Sequence, residues 1–344
     1  MSATRALILR DYGRLELTEI EIAEPGATDV VVRVAATGIC GSDVHGYTGD
    51  NGRRLPGQVM GHETAGTVEA VGSEVTSLAV GDRVTINPVM IPDEDRLAFT
   101  GREQHCPRRV VLGVAADVPA AFADRVVVPA ANIVPLDDAL PLELGALIEP
   151  LAVAVHAVAR VGDVSGLDVL VGGGGPIGQS LILALRDAGV RRVIISEPDA
   201  ARRELCKRID AQAIDPTEGS VAEQVAATFG HSADIAFDAV GVSQTLSDAV
   251  TSTEFGARVC LVGMGSPNIA VDAYRVSTEE RTIIGSFCYS NDHFRAAATL
   301  AARETEALFG LVSEEVGPDG ADDAFQRLLG PRGAAGKILV RFDR

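Results

Sequence analysis

The 344-residue chain has a net charge of −18, with 47% apolar and 23% charged residues. That length suggests roughly two domains with substantial cores, and the composition excludes a disordered chain. The acidity excludes a nucleic-acid binder, which needs clustered Lys and Arg, and reads as a solvated surface that keeps the protein soluble.

Five cysteines, at positions 40, 106, 206, 260 and 288, are odd in number and far apart. They form no disulfide framework and fit a reducing compartment. The N-terminus, MSATRALILRDYGRLELTEI, has no apolar h-region followed by a small-residue cleavage site. The most apolar long stretch, around 144–158, contains Glu149 and His156 and reads as too polar to span a bilayer. A cytoplasmic protein without a membrane partner is expected. Only two basic residues are lysines, Lys207 and Lys337, which reads as genome composition.

Along the chain, RALILR, RLELTEI and VVVRVAAT read as short strands, the last two flanking the turn-prone EPGATD. Residues 38–66, GICGSDVHGYTGDNGRRLPGQVMGHETAG, follow, and they hold Cys40, His45, His62, Asp43 and Glu63 among glycines. A thiolate, an imidazole and a carboxylate are ligand types that suit zinc. The glycines let the backbone turn tightly and bring them together. TAGTVEAVG, DRVTINP and ADRVVVP are further strand candidates. Dense glycine and proline between short strands predicts a β-rich, barrel-like domain up to about residue 150, with 88–113 as an irregular polar lobe.

From residue 166 the texture changes to alternating strand and helix. DVLV, RVIIS, AQAID, DIAFDAVG, RVCLVGMG and RTIIGSF are separated by helical stretches, the first running from Pro176 to Ala188. This predicts a doubly wound parallel sheet with helices on both faces, an α/β fold. After about 290 come helix-like stretches and a last strand, KILVRF.

Gly173, Gly175 and Gly178 complete G-x-G-x-x-G directly after DVLV and at a helix start, with Pro176 and Ile177 inside the motif. Gly173 permits the turn, Gly175 lets the backbone approach a pyrophosphate, and Gly178 packs helix on strand. Glu197 ends the next strand, where an acid accepts the ribose hydroxyls of NAD and repels a 2′-phosphate. Arg202 and Arg203 follow and could instead pair with that phosphate. NAD is favoured over NADP.

GHETAGTVEAVG at 61–72 matches the G-H-E-x2-G-x5-G signature of the zinc-containing alcohol dehydrogenases of the medium-chain dehydrogenase/reductase family. GICGSDVH at 38–45 is similar to their first zinc-ligand segment. EPLAVAVHA at 149–157 and GGGPIG resemble the sorbitol, L-idonate and butanediol dehydrogenase branch. The resemblance covers essentially the whole chain. It implies a GroES-like catalytic domain from 1–150 and 288–344, a Rossmann domain at 151–287, and an active site in the cleft between them. It implies that Cys40 and His62 bind the catalytic zinc, that Glu63 or Glu149 supplies a carboxylate ligand, and that Asp43 orients His62. Ser42 would hydrogen-bond the substrate oxygen, and His45 would pass its proton to solvent. A homodimer or homotetramer paired through RVCLVG as an edge strand is also implied.

Hydride leaves a carbinol carbon only as its hydroxyl loses a proton, and zinc lowers the pKa of a bound oxygen, for water from about 15.7 to about 7. A Cys–His–Glu set neutralises the dication and leaves an open position. Two bound glutamates would close the site, so at most one is expected on the metal during turnover.

Two departures from the family stand out. Many relatives hold a structural zinc with four cysteines in the lobe, whereas 88–113 contains only Cys106, so one catalytic ion and no structural zinc are expected. Where polyol enzymes commonly carry an arginine before a tyrosine, this chain has Cys288 before Tyr289. Losing that multi-donor group points to a smaller vicinal diol, an acyloin or a biosynthetic alcohol. Tyr289 and Tyr47 are candidate substrate contacts, the alternative for Tyr47 being that it packs. His231 and His293 read as surface residues, and His156, Cys206 and Cys260 as core. The expected reaction is reversible oxidation of a secondary alcohol to a ketone. Two other readings are a zinc-free enone or quinone reductase and a non-catalytic NAD-binding regulator.

Overall fold

The computed structural model describes residues 2–50, 52–116, 118–330 and 333–343. The chain divides into two compact units, Met1–Glu149 with Tyr289–Arg344, and Pro150–Cys288. In chain order the strands are β1 (Ser2–Asp11), β2 (Arg14–Ile22), β3 (Asp29–Gly38), β4 (Glu63–Val71), β5 (Arg83–Ile86), β6 (Val89–Met90), β7 (Val110–Val111), β8 (Arg125–Pro129) and β9 (Ile133–Pro135). The middle of the chain supplies β10 (Asp168–Gly172), β11 (Arg192–Ser196), β12 (Gln212–Ile214), β13 (Ala233–Asp238), β14 (Thr253–Leu261) and β15 (Thr282–Gly285). β16 (Val312–Val316) and β17 (Lys337–Arg341) close it.

In the first unit β3 is the organising strand. Its sequence, DVVVRVAATG, is buried at nearly every position, because neighbours flank it on both sides. The sheet runs β16-β17-β3-β4-β5-β9, with β8 also pairing β3. The pairs are antiparallel except for β16 and β17. Val30, Val32 and Val34 pack with Val68, Ile86, Phe122 and Phe325, each large apolar side chain contributing about 1.5–3 kcal/mol on burial. One register sets the chemistry: Leu339 of β17 faces Gly38 of β3, which faces Glu63 of β4.

The second unit is a six-stranded parallel sheet in the order β12-β11-β10-β13-β14-β15. Numbered from its first strand this is 3-2-1-4-5-6, which reverses direction beside β10 and leaves a crevice at the carboxyl ends of the strands. β10 is buried throughout, as a parallel strand covered on both faces must be. The sheet order corrects one expectation: RVCLVG lies in β14, hydrogen-bonded on both sides by β13 and β15. The edges are β12 and β15, so Arg258–Leu261, paired on both sides, have no free ladder to offer a partner.

The run Leu142–Val161 has a mean hydropathy of 1.6 and is long and apolar enough to cross a membrane. Polarity therefore does not exclude a span; burial argues against one, since 72% of its apolar window lies inside the protein, the pattern of a core helix.

Candidate active site

The metal-ligand cluster forms where β3 ends and β4 begins. Cys40 leaves one strand as His62 and Glu63 enter its neighbour, and their ligand atoms all lie within 4.8 Å of one another. Among the described residues this is the one group of three His, Cys, Asp or Glu side chains so arranged. The segment after Cys40 is a helix, Gly41–Thr48, rather than the glycine turn its composition suggests. Cys40 is its extended N-cap residue, and the Cys40 N–H donates to Asp43 Oδ2 at 3.3 Å, which satisfies a donor the helix start would leave unpaired. The helix sets out its side chains by depth: Asp43 buried, Ser42 half-buried, His45 exposed.

Asp43 Oδ1 lies 3.4 Å from His62 Nδ1 and 3.3 Å from an Arg54 nitrogen. Burial pushes the Asp43 carboxyl up, but His62 and Arg54 outweigh it and hold it below its ordinary value. Burial likewise disfavours the His62 imidazolium, yet Asp43 and Cys40 hold its pKa well above the usual 6.5. A thiol, an imidazole and a carboxylate this close, in a field that favours positive charge, fit a zinc ion by donor chemistry.

Lys337 opens β17 and is 3% exposed. Its Nζ donates to Glu63 Oε1 at 2.7 Å and to the Ile39 carbonyl at 3.3 Å, and it lies 2.6 Å from Glu63 Oε2. Gly38 makes room for this pair, because a Cβ there would sit 2.3 Å from Glu63 Oε2 and 3.2 Å from Lys337 Cδ. Burial lowers the Lys337 pKa, and Glu63 and Cys40 reverse that and raise it. Glu149, at the start of the helix Ile148–Val161, is also buried, and its Oε1 accepts a 2.8 Å hydrogen bond from the Tyr289 hydroxyl. Burial pushes the Glu149 carboxyl up to about 7, against His62 and with Glu63.

Of the two tyrosines expected as substrate contacts, Tyr47 takes the packing alternative, and Tyr289 lies against a candidate metal ligand. Tyr47 is fully buried; its hydroxyl lies 2.5 Å from the Gly13 carbonyl and 2.8 Å from Asp322, and it accepts from Gln326 at 2.5 Å. With its ring on Phe325, centroids 5.1 Å apart, Tyr47 packs. Tyr289 is fully buried as well and holds Glu149. Two residues not expected at the site lie at it: Lys337 pairs with Glu63 of the cluster, and Arg54 reaches Asp43 and Ser42 beside it. A lysine heading the apolar run ILV was a signal for the first. His231 and His293 are half-buried rather than surface residues; His231 Nε2 lies 2.9 Å from Asp168 and His293 Nδ1 3.1 Å from Ser290 Oγ. In the lobe, buried Cys106 donates to Asp95 at 3.4 Å, and Asp95 pairs with Arg108 at 2.8 Å.

In the second unit Gly173 has φ +94, a left-handed backbone that glycine adopts freely. Gly178 cannot carry a side chain, since a Cβ would meet the Gly173 carbonyl at 1.9 Å. Gly175 caps the helix Pro176–Asp187, with Pro176 in its first turn and Ile177 following, a start that needs no N–H from proline. Glu197 is buried: Oε2 accepts the Gly174 N–H at 2.7 Å and Oε1 the Asp199 N–H at 2.8 Å. Each oxygen keeps a lone pair for a ribose hydroxyl. Arg203 pairs with Asp215 at 2.8 Å. Beneath the turn, burial pushes the Cys206 thiol up to about 12, the mark of an inert core cysteine.

A glycine turn at the switch point of a parallel sheet and a zinc-type donor set on one chain define a metal-containing, nicotinamide-dependent dehydrogenase. Comparison with known proteins agrees. Residues 26–138 match the alcohol dehydrogenase GroES-like domain and residues 176–303 the zinc-binding dehydrogenase domain. The chain is 37% identical to a sorbitol dehydrogenase of Arabidopsis thaliana over 287 residues, 80% of this chain and 78% of that one. A zinc-binding dehydrogenase from Sinorhizobium meliloti 1021, solved with NADP, is 30% identical with a TM-score of 0.88, covering 99% of this chain and 100% of the other. The 2R,3R-butanediol dehydrogenase of Bacillus subtilis is 28% identical with a TM-score of 0.88, covering 98% and 99%. The chain belongs to the zinc-containing alcohol dehydrogenases of the medium-chain dehydrogenase/reductase family, in the sorbitol dehydrogenase-like branch. Its β-rich unit is the GroES-like domain and its parallel sheet the Rossmann domain.

Proposed function

We propose that this enzyme reversibly oxidises the secondary carbinol of a polyol or vicinal diol to a ketone, with NAD as hydride acceptor and one zinc ion per chain. The Cys40–His62–Glu63 cluster, with His62 and Glu63 buried and Cys40 half-buried, carries the reading. Cys40, His62 and one carboxylate, from Glu63 or Glu149, hold the metal. Zinc held there would supply Lewis acidity that lowers the pKa of the substrate hydroxyl. Ser42 would accept the hydroxyl proton while releasing its own, by way of the cofactor ribose, to His45, exposed one helical turn on, which passes a proton to solvent. The carbinol carbon loses its hydride to the nicotinamide, so alcohol and NAD become ketone, NADH and a proton.

Glu197, positioned by two backbone N–H groups, supports NAD. Arg202, close to Gly175, and the NADP-bound relative support NADP as the second reading. Cys288, at φ +50 in place of a multi-donor arginine, supports a smaller diol over a sugar acid. Five free cysteines support a cytoplasmic enzyme, and the family supports a homodimer or homotetramer.

The test is metal analysis of the purified protein, followed by a diol, polyol and acyloin panel read by NADH and NADPH absorbance. Cys40→Ser should lose zinc and turnover and keep NAD affinity within about threefold, because a hydroxyl is a poor zinc ligand. Retained turnover in that variant would sink the zinc mechanism. A metal-free protein that reduces quinones, or one that binds NAD and turns over nothing, would replace it with one of the other readings.

A further inference from the structure

Arg54 is 1% exposed and heads the largest fully buried side chains of the protein. A charged group is almost never buried so deeply unless something in the fold requires it. The helix Gly41–Thr48 is shaped to admit it. Gly46 lies inside that helix, where glycine is a poor choice for the backbone, and a Cβ there would stand 2.1 Å from Arg54 Cγ and 2.9 Å from Arg54 Cβ. Gly46 is not among the residues with positive φ, so it is the Arg54 stem, not the backbone, that excludes a side chain.

The guanidinium delivered along this path meets two residues of the site. One nitrogen, NH2, donates to Asp43 Oδ1 at 3.3 Å and to Ser42 Oγ at 3.5 Å, the long end of the hydrogen-bond range. Asp43 in turn faces both metal-ligand segments, with Oδ1 3.4 Å from His62 Nδ1 and Oδ2 accepting the Cys40 N–H at 3.3 Å. A carboxylate between an imidazole and a guanidinium can settle on either side, and Arg54 fixes which.

We propose that Arg54 is a positioning residue of the metal site: it anchors Asp43 so that Asp43 orients His62, and it orients the Ser42 hydroxyl. This rests on the zinc reading given above. An arginine has donors and no acceptor, so Ser42 Oγ must accept from it. The Ser42 proton then points away from Arg54, and one lone pair stays open for the substrate hydroxyl. A guanidinium can serve two acceptors on neighbouring residues in fixed geometry, which an ammonium does less well.

The experiment measures zinc affinity by competition with a chelating dye, and the visible spectrum of the cobalt-loaded protein, in Arg54→Met, Arg54→Lys and Gly46→Ala. Partners of metal ligands typically govern affinity by about 10–100-fold. Arg54→Met should weaken zinc binding by that factor and shift the cobalt spectrum, with NAD affinity unchanged, and Arg54→Lys should recover part of the loss. A folded Arg54→Met protein with wild-type zinc affinity and spectrum would overturn the inference. Should Arg54→Met not fold, Gly46→Ala displaces the stem while keeping the charge; weakened zinc binding there supports the inference, and wild-type binding overturns it. A wild-type protein that holds no zinc would sink the proposed function and this inference together, whereas zinc held equally by wild type and variants sinks this inference alone.

Discussion

Replacing Lys337 by methionine is the sharpest probe of the buried charge beside the metal ligands. Methionine keeps most of the stem volume, so little of the effect comes from a cavity. What is lost is the ammonium 2.6 Å from Glu63 Oε2, leaving a buried carboxylate without its cation. Removing one partner of such a pair costs about 3–5 kcal/mol. The unit concerned has roughly 200 residues, for which each kcal/mol lowers Tm by about 2–4 °C. The zinc-free variant should therefore melt about 6–20 °C below the wild type. Because the folded Lys337 pKa is raised above 10.5, its stabilisation is complete below that value and lost only as pH rises through the folded value, so a scan at neutral pH reads all of it. Zinc brings positive charge back to Glu63, so the rise in Tm on adding zinc should be larger in the variant than in the wild type. Calorimetry of chelator-treated and zinc-reconstituted samples measures both quantities. A zinc-free variant melting within about 2 °C of wild type would refute the reasoning, since it would mean that Glu63 does not depend on Lys337.

Three further outcomes are expected. Tyr47→Phe should lower stability by about 0.5–1.5 kcal/mol, the net worth of a hydrogen bond whose other partners, half-buried Asp322 and exposed Gln326, stay within reach of water, with the KM for alcohol unchanged; a tenfold rise in KM would return Tyr47 to the substrate. Glu197→Ala removes charged acceptors from the Gly174 and Asp199 N–H groups, each hydrogen bond worth about 1.5–3 kcal/mol. The KM for NAD should rise about 10–150-fold and the preference for NAD over NADP should shrink, and an unchanged ratio would remove Glu197 from cofactor choice. Burial raises the Asp168 carboxyl, but Arg192 and Arg191 hold it well below 3.8, so the unfolded chain takes up its proton first as pH falls. The stability Asp168 supplies is complete above about pH 4 and lost below it. Asp168→Asn should flatten that acid limb in urea unfolding, and identical slopes would count against the argument.

What could be read from the sequence follows from how local each signal is. DVLV before a glycine turn, and GHE opening a strand, carry their meaning within ten residues, and both lie where their chemistry needs them. The helix Gly41–Thr48 is not evident from its sequence because Gly41 and Gly46 lower its intrinsic propensity, and tertiary packing of Tyr47 on Phe325 decides the matter instead. Lys337 and Glu63 are 274 residues apart, and they meet only through the β17–β3–β4 register, which no spacing rule conveys. The environment of Tyr47 was hidden for a related reason. An aromatic residue close to the site in sequence looks the same whether its hydroxyl faces a substrate or, as with Tyr47, is consumed by Gly13 and Asp322. Arg54 was hidden by its loop, where an arginine ordinarily points to water.

Those long-range partners change how the charge at the metal is counted. From ligands alone, a thiolate and one carboxylate balance a dication, and a second carboxylate would leave the site negative. Lys337 alters that sum, because one thiolate and two carboxylates set against an ammonium and a dication come to neutrality. Both Glu63 and Glu149 can then remain ionised beside the metal without both binding it. Each also has its own place to rest: Glu63 on Lys337 and Glu149 on the Tyr289 hydroxyl. On the zinc reading, Glu63 off the metal keeps the Lys337 ammonium, whereas Glu149 off the metal keeps a neutral hydroxyl and its carboxyl is pushed up to about 7 by burial. If the proposed zinc site holds, the limit of one bound glutamate during turnover would rest on these partners as well as on charge. It carries a directional consequence: Tyr289→Phe removes the resting place of Glu149 alone and should drive it onto the metal, lowering kcat while tightening zinc. A Tyr289→Phe enzyme with unchanged kcat and unchanged zinc affinity would show that Glu149 has no such role.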